Sequence, residues 1–213
     1  MAQKLHRAYL IVLELLADRR YHVDPALHLS FSDFCTQYGD TPEDIRSSFL
    51  LEISKTETSE TTDIIVLFRE TIGSPQIQEI DSILTDYSVS RAIIIYASKI
   101  TPPAATALKH LRVKKRIIEP FTEDQLQFNV ARHEDVPKHI LCSANMKNRL
   151  LKQYNITKDD IPHIKATDPV CLYYGATKGQ IIKIIRTSDS IKEVTNPDGN
   201  VEKLYDTTYK LVV

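Results

Sequence analysis

The chain is predicted to be an α/β protein in two parts: an N-terminal α/β domain whose mixed sheet is covered by helices, and a small C-terminal α/β domain. Three observations predict it. Residues 63–68 (Asp-Ile-Ile-Val-Leu-Phe) and 91–97 (Arg-Ala-Ile-Ile-Ile-Tyr-Ala) are apolar on both faces, as in strands buried between two layers. Stretches of helical periodicity at 76–87 and 103–111 separate and follow them, so strand and helix alternate. Residues 180–186 (Gln-Ile-Ile-Lys-Ile-Ile-Arg) repeat the strand pattern far downstream, and 213 residues with 42% hydrophobic content suffice for a core in each part.

In order, residues 4–20 set Leu5, Ala8, Tyr9, Val12, Leu13, Leu15 and Leu16 on one side at helical spacing, with Arg7, Glu14 and Asp18 opposite. His22-Val23-Asp24-Pro25 interrupts this helix. Ser30 and Asp33, spaced as a capping pair, open a second helix through Phe31, Phe34 and Tyr38 that ends near Gly39. Thr41-Pro42-Glu43 starts a short turn, 49–54 is a strand, and 56–62 is a polar loop before the strand at 63–68. Residues 76–87 have helical spacing at Ile77, Ile80, Ile83, Leu84 and Tyr87; strand 91–97, the Ala-rich helix 103–111 and a short strand at 116–119 follow. Pro120 and Pro137 around Phe128-Asn129-Val130 suggest a connecting strand and hinge, and the domains are divided there into 1–138 and 139–213.

Beyond the hinge, 144–154 is a helix with Met146, Leu150, Leu151 and Tyr154 on its buried side. Pro169 fixes its own φ and pushes Asp168 toward an extended conformation, while Gly175 and Gly179 suit a chain reversal. The turn feeds strand 180–186, with Ile182 and Ile184 on one face and Ile181, Lys183 and Ile185 on the other. Such a strand requires cover on both sides. Asn196-Pro197-Asp198-Gly199 suits a hairpin with arms at 191–195 and 201–205, and Tyr209-Lys210-Leu211-Val212 is a last strand. The C-terminal part is thus expected to hold two or three strands and a helix, close to the size at which a core alone gives little stability, so a partner surface is expected to cover it.

Composition narrows the function. The net charge is −1; residues 134–213 carry 12 Lys+Arg against 10 Asp+Glu, and the first 133 carry 15 against 18. Nucleic-acid contact is therefore expected to be local and weak. No apolar run approaches membrane-spanning length, and Lys4, His6, Arg7, Glu14 and Asp18 break any signal-peptide core, which points to the cytosol or nucleus. Cys35, Cys142 and Cys171 are odd in number and far apart, as expected of reduced thiols.

An α/β domain with strand-end acids invites comparison with metal-dependent nucleases, for which Glu52, Asp63, Glu70 and Lys99 are the candidates. The carboxylate-x-lysine spacing that would put both groups on one strand face is missing, since Glu52 and Lys55 are three apart. His22 and His28, like His133 and His139, are six apart, and no cysteine stands at structural-zinc spacing. No nucleophile elbow or phosphate-cradling glycine loop occurs among 5 glycines. No catalytic residue, metal site, cofactor or small-molecule substrate is assigned.

Several blocks carry a family resemblance. Asp168-Pro169-Val170, Tyr173-Tyr174-Gly175, Lys178-Gly179-Gln180 and Lys183-Ile184-Ile185-Arg186 resemble the signature of the fifth subunit of eukaryotic nuclear DNA-directed RNA polymerases, whose C-terminal half corresponds to a separate small subunit of the archaeal polymerase. His133-Glu134, Val136-Pro137 and His139 resemble that half's entry; Leu150-Leu151, Tyr154, Ile161-Pro162 and Ile164 follow in order, and residues 209–212 resemble its end. Four features depart from the pattern. Thr187-Ser188-Asp189 stands where the family has Pro-Ser-Glu, His163 replaces an arginine, a basic pair before Gly179 is reduced to Lys178, and the loop before Tyr209 is longer.

The resemblance implies a nuclease-like but inactive N-terminal domain and a non-catalytic, nuclear, multisubunit role. The partners it implies are the largest polymerase subunit and other subunits, with weak contact to downstream duplex DNA at a jaw. His133, Pro137, His139, Asp168, Pro169, Tyr173, Tyr174, Lys178, Lys183 and Arg186 are the expected subunit interface. Lys99, Thr101 and Pro102 are expected to face DNA, where Thr101 can cap a helix with free backbone N–H groups for a phosphate. The alternatives are a metal-dependent nuclease and a free adaptor for transcription factors. The run Lys109-His110-Leu111-Arg112-Val113-Lys114-Lys115-Arg116 is the densest in basic residues and is left as a solvated edge or a binding patch.

Overall fold

The computed structural model describes residues 1–54, 63–186, 192–195, 201–204 and 206–213. The chain divides into two compact units, Met1–Asn129 and Val130–Val213. The expected loop at 56–62 and the turn at 196–199 lie outside the described residues.

In the first unit, helix α1 (Ala2–Asp18) buries the seven residues expected of it, Leu5, Ala8, Tyr9, Val12, Leu13, Leu15 and Leu16. Helix α2 (Phe31–Tyr38) starts at Ser30, whose hydroxyl accepts the Asp33 N–H at 3.2 Å, and ends at Gly39 with φ 106°. The short turn expected at Thr41 continues into a helix, α3 (Pro42–Ser48), capped by the Thr41 hydroxyl. Proline at its first position and Asp44 bonded to the cap supply the initiation that a bare turn lacks.

Strands β1 (Leu50–Ile53), β2 (Ile64–Arg69), β3 (Arg91–Tyr96) and β4 (Ile117–Thr122) form one sheet in that order, β1 antiparallel to β2 and the rest parallel. The crossovers are α4 (Ser74–Asp86) and α5 (Pro102–Val113). Ile65, Leu67, Ala92 and Ile94 pack against Ile77, Ile80 and Leu84 of α4 and Ala104 and Leu111 of α5. The opposite face meets aromatic rings from α1 to α3: Phe49 stands edge-on to Phe68 at 4.6 Å and lies 4.7 Å from Tyr38, while Tyr9 and Phe34 are 5.1 Å apart. Both faces are thus buried, as double-faced apolar strands demand.

The expected connecting strand at 128–130 is not formed. Pro120 instead sits inside β4, where an edge strand tolerates the missing N–H, and the chain then turns through Phe128 into one turn of 3-10 helix, Val130–Arg132.

The sheet also holds an ionic cluster that ties α1 to β3 and β4. Glu119 receives Arg19 from the end of α1 at 2.8 Å and Arg91 from the start of β3 at 3.0 Å. Burial alone would raise the Glu119 carboxyl, but the two guanidiniums more than reverse this and hold it below the ordinary glutamate value.

In the second unit, strands β5 (Lys138–Leu141), β6 (His163–Ile164), β7 (Ile181–Arg186) and β10 (Asp206–Val212) form a sheet of order β5-β7-β10-β6. Helix α6 (Ala144–Tyr154) covers one face, where Cys142, Leu150, Ile161, Ile181 and Leu211 cluster. Helix α7 (Pro169–Tyr173) covers the other, where Cys171, Ala176, Ile182, Ile184 and Val212 cluster. The unit is larger than the expected two or three strands and a helix, because β5 and β6 are too short to show alternation. Strands β8 (Lys192–Thr195) and β9 (Val201–Leu204) pair antiparallel in a sheet of their own, matching the arms expected of the hairpin. Cys142 and Cys171 are buried and Cys35 is half-buried, all free thiols.

The Glu119 cluster makes stability pH-dependent in a defined direction. Its contribution is present above the unfolded glutamate value of about 4.3 and is lost as pH falls through the lower folded-state value. Glu119→Gln is expected to cost about 3 kcal/mol near neutral pH, since two guanidiniums lose their counter-charge, and to flatten the acid limb of the profile. Urea unfolding across the acid range checks this; an equally steep acid limb in both proteins contradicts it.

Candidate interaction interfaces

The carboxylates considered for a nuclease centre do not converge. Asp63 precedes β2 and Glu70 follows it, seven residues apart along an extended strand, which separates them by about 23 Å. Glu70 is held by Arg46 at 2.5 Å, and Arg46 also grips the buried Glu123 at 2.8 Å. Glu52 lies exposed on β1 opposite Ile65, and Lys99 is exposed beyond β3. Among the described residues no group of three or more His, Cys, Asp or Glu could hold a metal ion.

The loop 99–102 lies at the end of the sheet where the parallel strands finish. It is pinned by backbone bonds: Ile72 N–H donates to the Lys99 carbonyl at 3.0 Å, and Thr101 N–H to the Ile72 carbonyl at 2.9 Å. Thr101 caps α5 as expected, its hydroxyl accepting Ala104 N–H at 3.4 Å. The expected free N–H groups are not there. Pro102 and Pro103 have none, Ala104 N–H goes to the cap, and Ala105 N–H already closes the first helical bond onto the Thr101 carbonyl at 2.9 Å. What the loop presents is the exposed Pro102 ring, the exposed Lys99 side chain and the half-buried Thr101.

In the second unit most of the expected interface residues gather around α7. Asp168 caps this helix, its carboxylate accepting Val170 N–H at 2.9 Å with φ −60° and ψ 135°. Pro169 follows at the first helical position and is exposed. The 3-10 turn before His133 packs against α7, and His139, opposite Ile184, shares its face of the sheet. His139 Nδ1 lies 2.6 Å from the Pro137 carbonyl; His133 Nδ1 accepts Asp135 N–H at 3.3 Å. Gly175 and Gly179 have φ 61° and 85°, the reversal expected of them, and Lys178 is exposed between them.

Two expectations change. Tyr173, expected to be exposed, is buried at 3%, because α7 turns it inward beside Val170 and Cys171; it meets half-buried Tyr174 edge-on at 5.2 Å. Lys183 does not join the others: strand alternation aims it at the α6 side, whereas Arg186 points to the α7 side and donates to the Thr208 hydroxyl at 3.3 Å.

The sheet is therefore covered by its own unit, and the apolar surface left over lies elsewhere. On α6, Leu150 is buried and Leu151 half-buried, but Met146 and Tyr154, expected to be buried, are 43% and 57% exposed. They share Leu150's stripe, one turn to either side. Sequence periodicity gives the stripe; only the structure shows which of its positions are covered.

Among the described residues the two units offer exposed helix faces and a capped loop, and the candidate reactive groups do not converge. Residues 1–84 match the family model for RNA polymerase Rpb5, N-terminal domain, and residues 128–196 that for RNA polymerase Rpb5, C-terminal domain. A subunit of DNA-directed RNA polymerases I, II and III from Dictyostelium discoideum is 34% identical over 84% of this chain and 88% of its own length. The corresponding subunit from Caenorhabditis elegans is 32% identical over 88% and 90%, and an RNA polymerase subunit 5-like protein from Arabidopsis thaliana is 31% identical over 83% and 85%. The chain belongs to the Rpb5 family, accessory and non-catalytic subunits of multisubunit DNA-directed RNA polymerases.

The Asp168 carboxylate caps α7 beside the expected interface. Asp168→Ala is expected to cost about 1 kcal/mol in urea unfolding, whereas Asn, which keeps the acceptor, retains most of it. Equal losses for Ala and Asn contradict the capping role.

Proposed function

We propose that the chain is built into a DNA-directed RNA polymerase of the nucleus, with its C-terminal unit seated on the largest subunit and its N-terminal unit forming part of a jaw beside downstream duplex DNA. Names of relatives that assign them to polymerases I, II and III support the assembly. The observation that carries the choice of seat is the exposure of Met146 and Tyr154 on α6: large exposed apolar side chains beside a completed core are what a partner covers. Asp168, Pro169, Tyr174, Lys178 and Arg186 fix its edges, with His133, Pro137 and His139 at the unit's entry. Lys183 acts on the α6 side and Tyr173 by holding α7 in shape.

Thr101, Pro102 and Lys99 are assigned to the DNA side. With no free N–H at the head of α5, the loop contributes shape and one cation, a weak contact that matters only inside the assembled enzyme.

Two measurements test this. Affinity purification of the tagged full chain is expected to recover the largest subunit, and Met146→Asp with Tyr154→Asp to reduce recovery at least tenfold while circular dichroism stays unchanged; full recovery overturns the seat. A photo-crosslinker at Pro102 in the assembled polymerase is expected to label downstream DNA, and labelling of protein alone removes this loop from the DNA side.

A further inference from the structure

The C-terminal turn of α5 carries four exposed cations, Lys109, Arg112, Lys114 and Lys115, which form no ion pair or side-chain hydrogen bond among the described residues. A helix end ordinarily uses such groups to satisfy its last carbonyls. Here the backbone does that. Lys114 N–H donates to the His110 carbonyl at 3.3 Å, Lys115 N–H to Arg112 at 3.1 Å and Arg116 N–H to Leu111 at 3.0 Å, with Lys115 at φ 63°. Arg116 alone of the run is consumed, by Asp81 and the Thr85 hydroxyl on α4. Among the described residues four cations are left without an anionic partner.

The face of α5 that carries them is exposed. Ala104 and Leu111 face the sheet, while Pro102, Lys109 and Val113 lie on the outer arc at spacings of seven and four residues, and Val113 is 84% exposed. Val113 projects from the helix, and a peptide anchor would need a recess. A protruding cationic helix end suits a polynucleotide backbone, which presents regularly spaced phosphates and asks for no pocket.

We propose that Lys109, Arg112, Lys114 and Lys115 form a phosphate contact for the backbone of a nucleic acid, separate from the loop 99–102. The two sites stand at opposite ends of a 12-residue helix, about 18 Å apart, which is about five base pairs of duplex axis. The inference shares with the proposed function the premise that nucleic acid runs past α5, but it rests on different residues and fails separately. The contact is sequence-independent and strongest at low salt.

The test is fluorescence anisotropy of the full chain with a labelled duplex of about 20 base pairs over a salt series. The expected logarithmic salt slope is about −3 to −4, from about 0.9 per phosphate contacted. K109Q/R112Q/K114Q/K115Q is expected to reduce the slope by about 3 and the low-salt affinity at least tenfold, with an unchanged melting temperature. K109R/K114R/K115R is expected to bind as wild type, and Thr101→Ala with Pro102→Ala to keep the slope. An unchanged slope in the glutamine variant, absence of wild-type binding at low salt, or polyglutamate bound as tightly as duplex overturns the proposal; the last would make the partner an acidic protein segment.

Discussion

Strand β7 is apolar on both faces, and the architecture of the C-terminal unit follows from that single fact. Ile181 cannot be hidden by the element that hides Ile182 and Ile184, because successive side chains point to opposite sides of a sheet. Two helices are needed, and α6 and α7 supply them from sequence segments on the N-terminal side of the strand. Once both faces are covered, the apolar surface that remains on this unit includes Met146 and Tyr154 of α6.

The same logic governs the N-terminal unit, where β2 and β3 are buried between α4 and α5 on one side and an aromatic layer on the other. Here α5 closes its own ends and is tied to α4 by one arginine. Thr101 and two prolines close the head of α5, its tail is closed by backbone bonds, and Arg116 fastens that tail to α4. The head of α5 is thereby without free donors, and its tail retains free positive charge.

Much of this was legible in the chain, and the reasons differ by element. All seven buried positions of α1 follow from a 3.6-residue period, and the caps at Ser30, Thr101 and Asp168 from residue types whose short side chains reach a backbone N–H. Met146 and Tyr154 are exposed on a stripe that predicts burial because periodicity gives the direction of a side chain and not the extent of what lies beneath it, whereas Tyr173 is turned inward by the five-residue helix α7. Arg19, Arg46, Arg91, Glu119 and Glu123 gave no local signal, since each finds its partner through long-range contacts. The family blocks at 168–186 named the class of protein, while the alternation of β7 already sets Lys183 on the face opposite Arg186.

The central claim is that the C-terminal unit completes its own core and seats through what α6 leaves uncovered. Lysine-reactive crosslinking with mass spectrometry on polymerase purified through the tagged chain tests it most directly. Crosslinks from Lys152 on α6 and Lys178 beside α7 to the largest subunit are the predicted result. Crosslinks to that subunit confined to residues 1–129, or none at all, would contradict it.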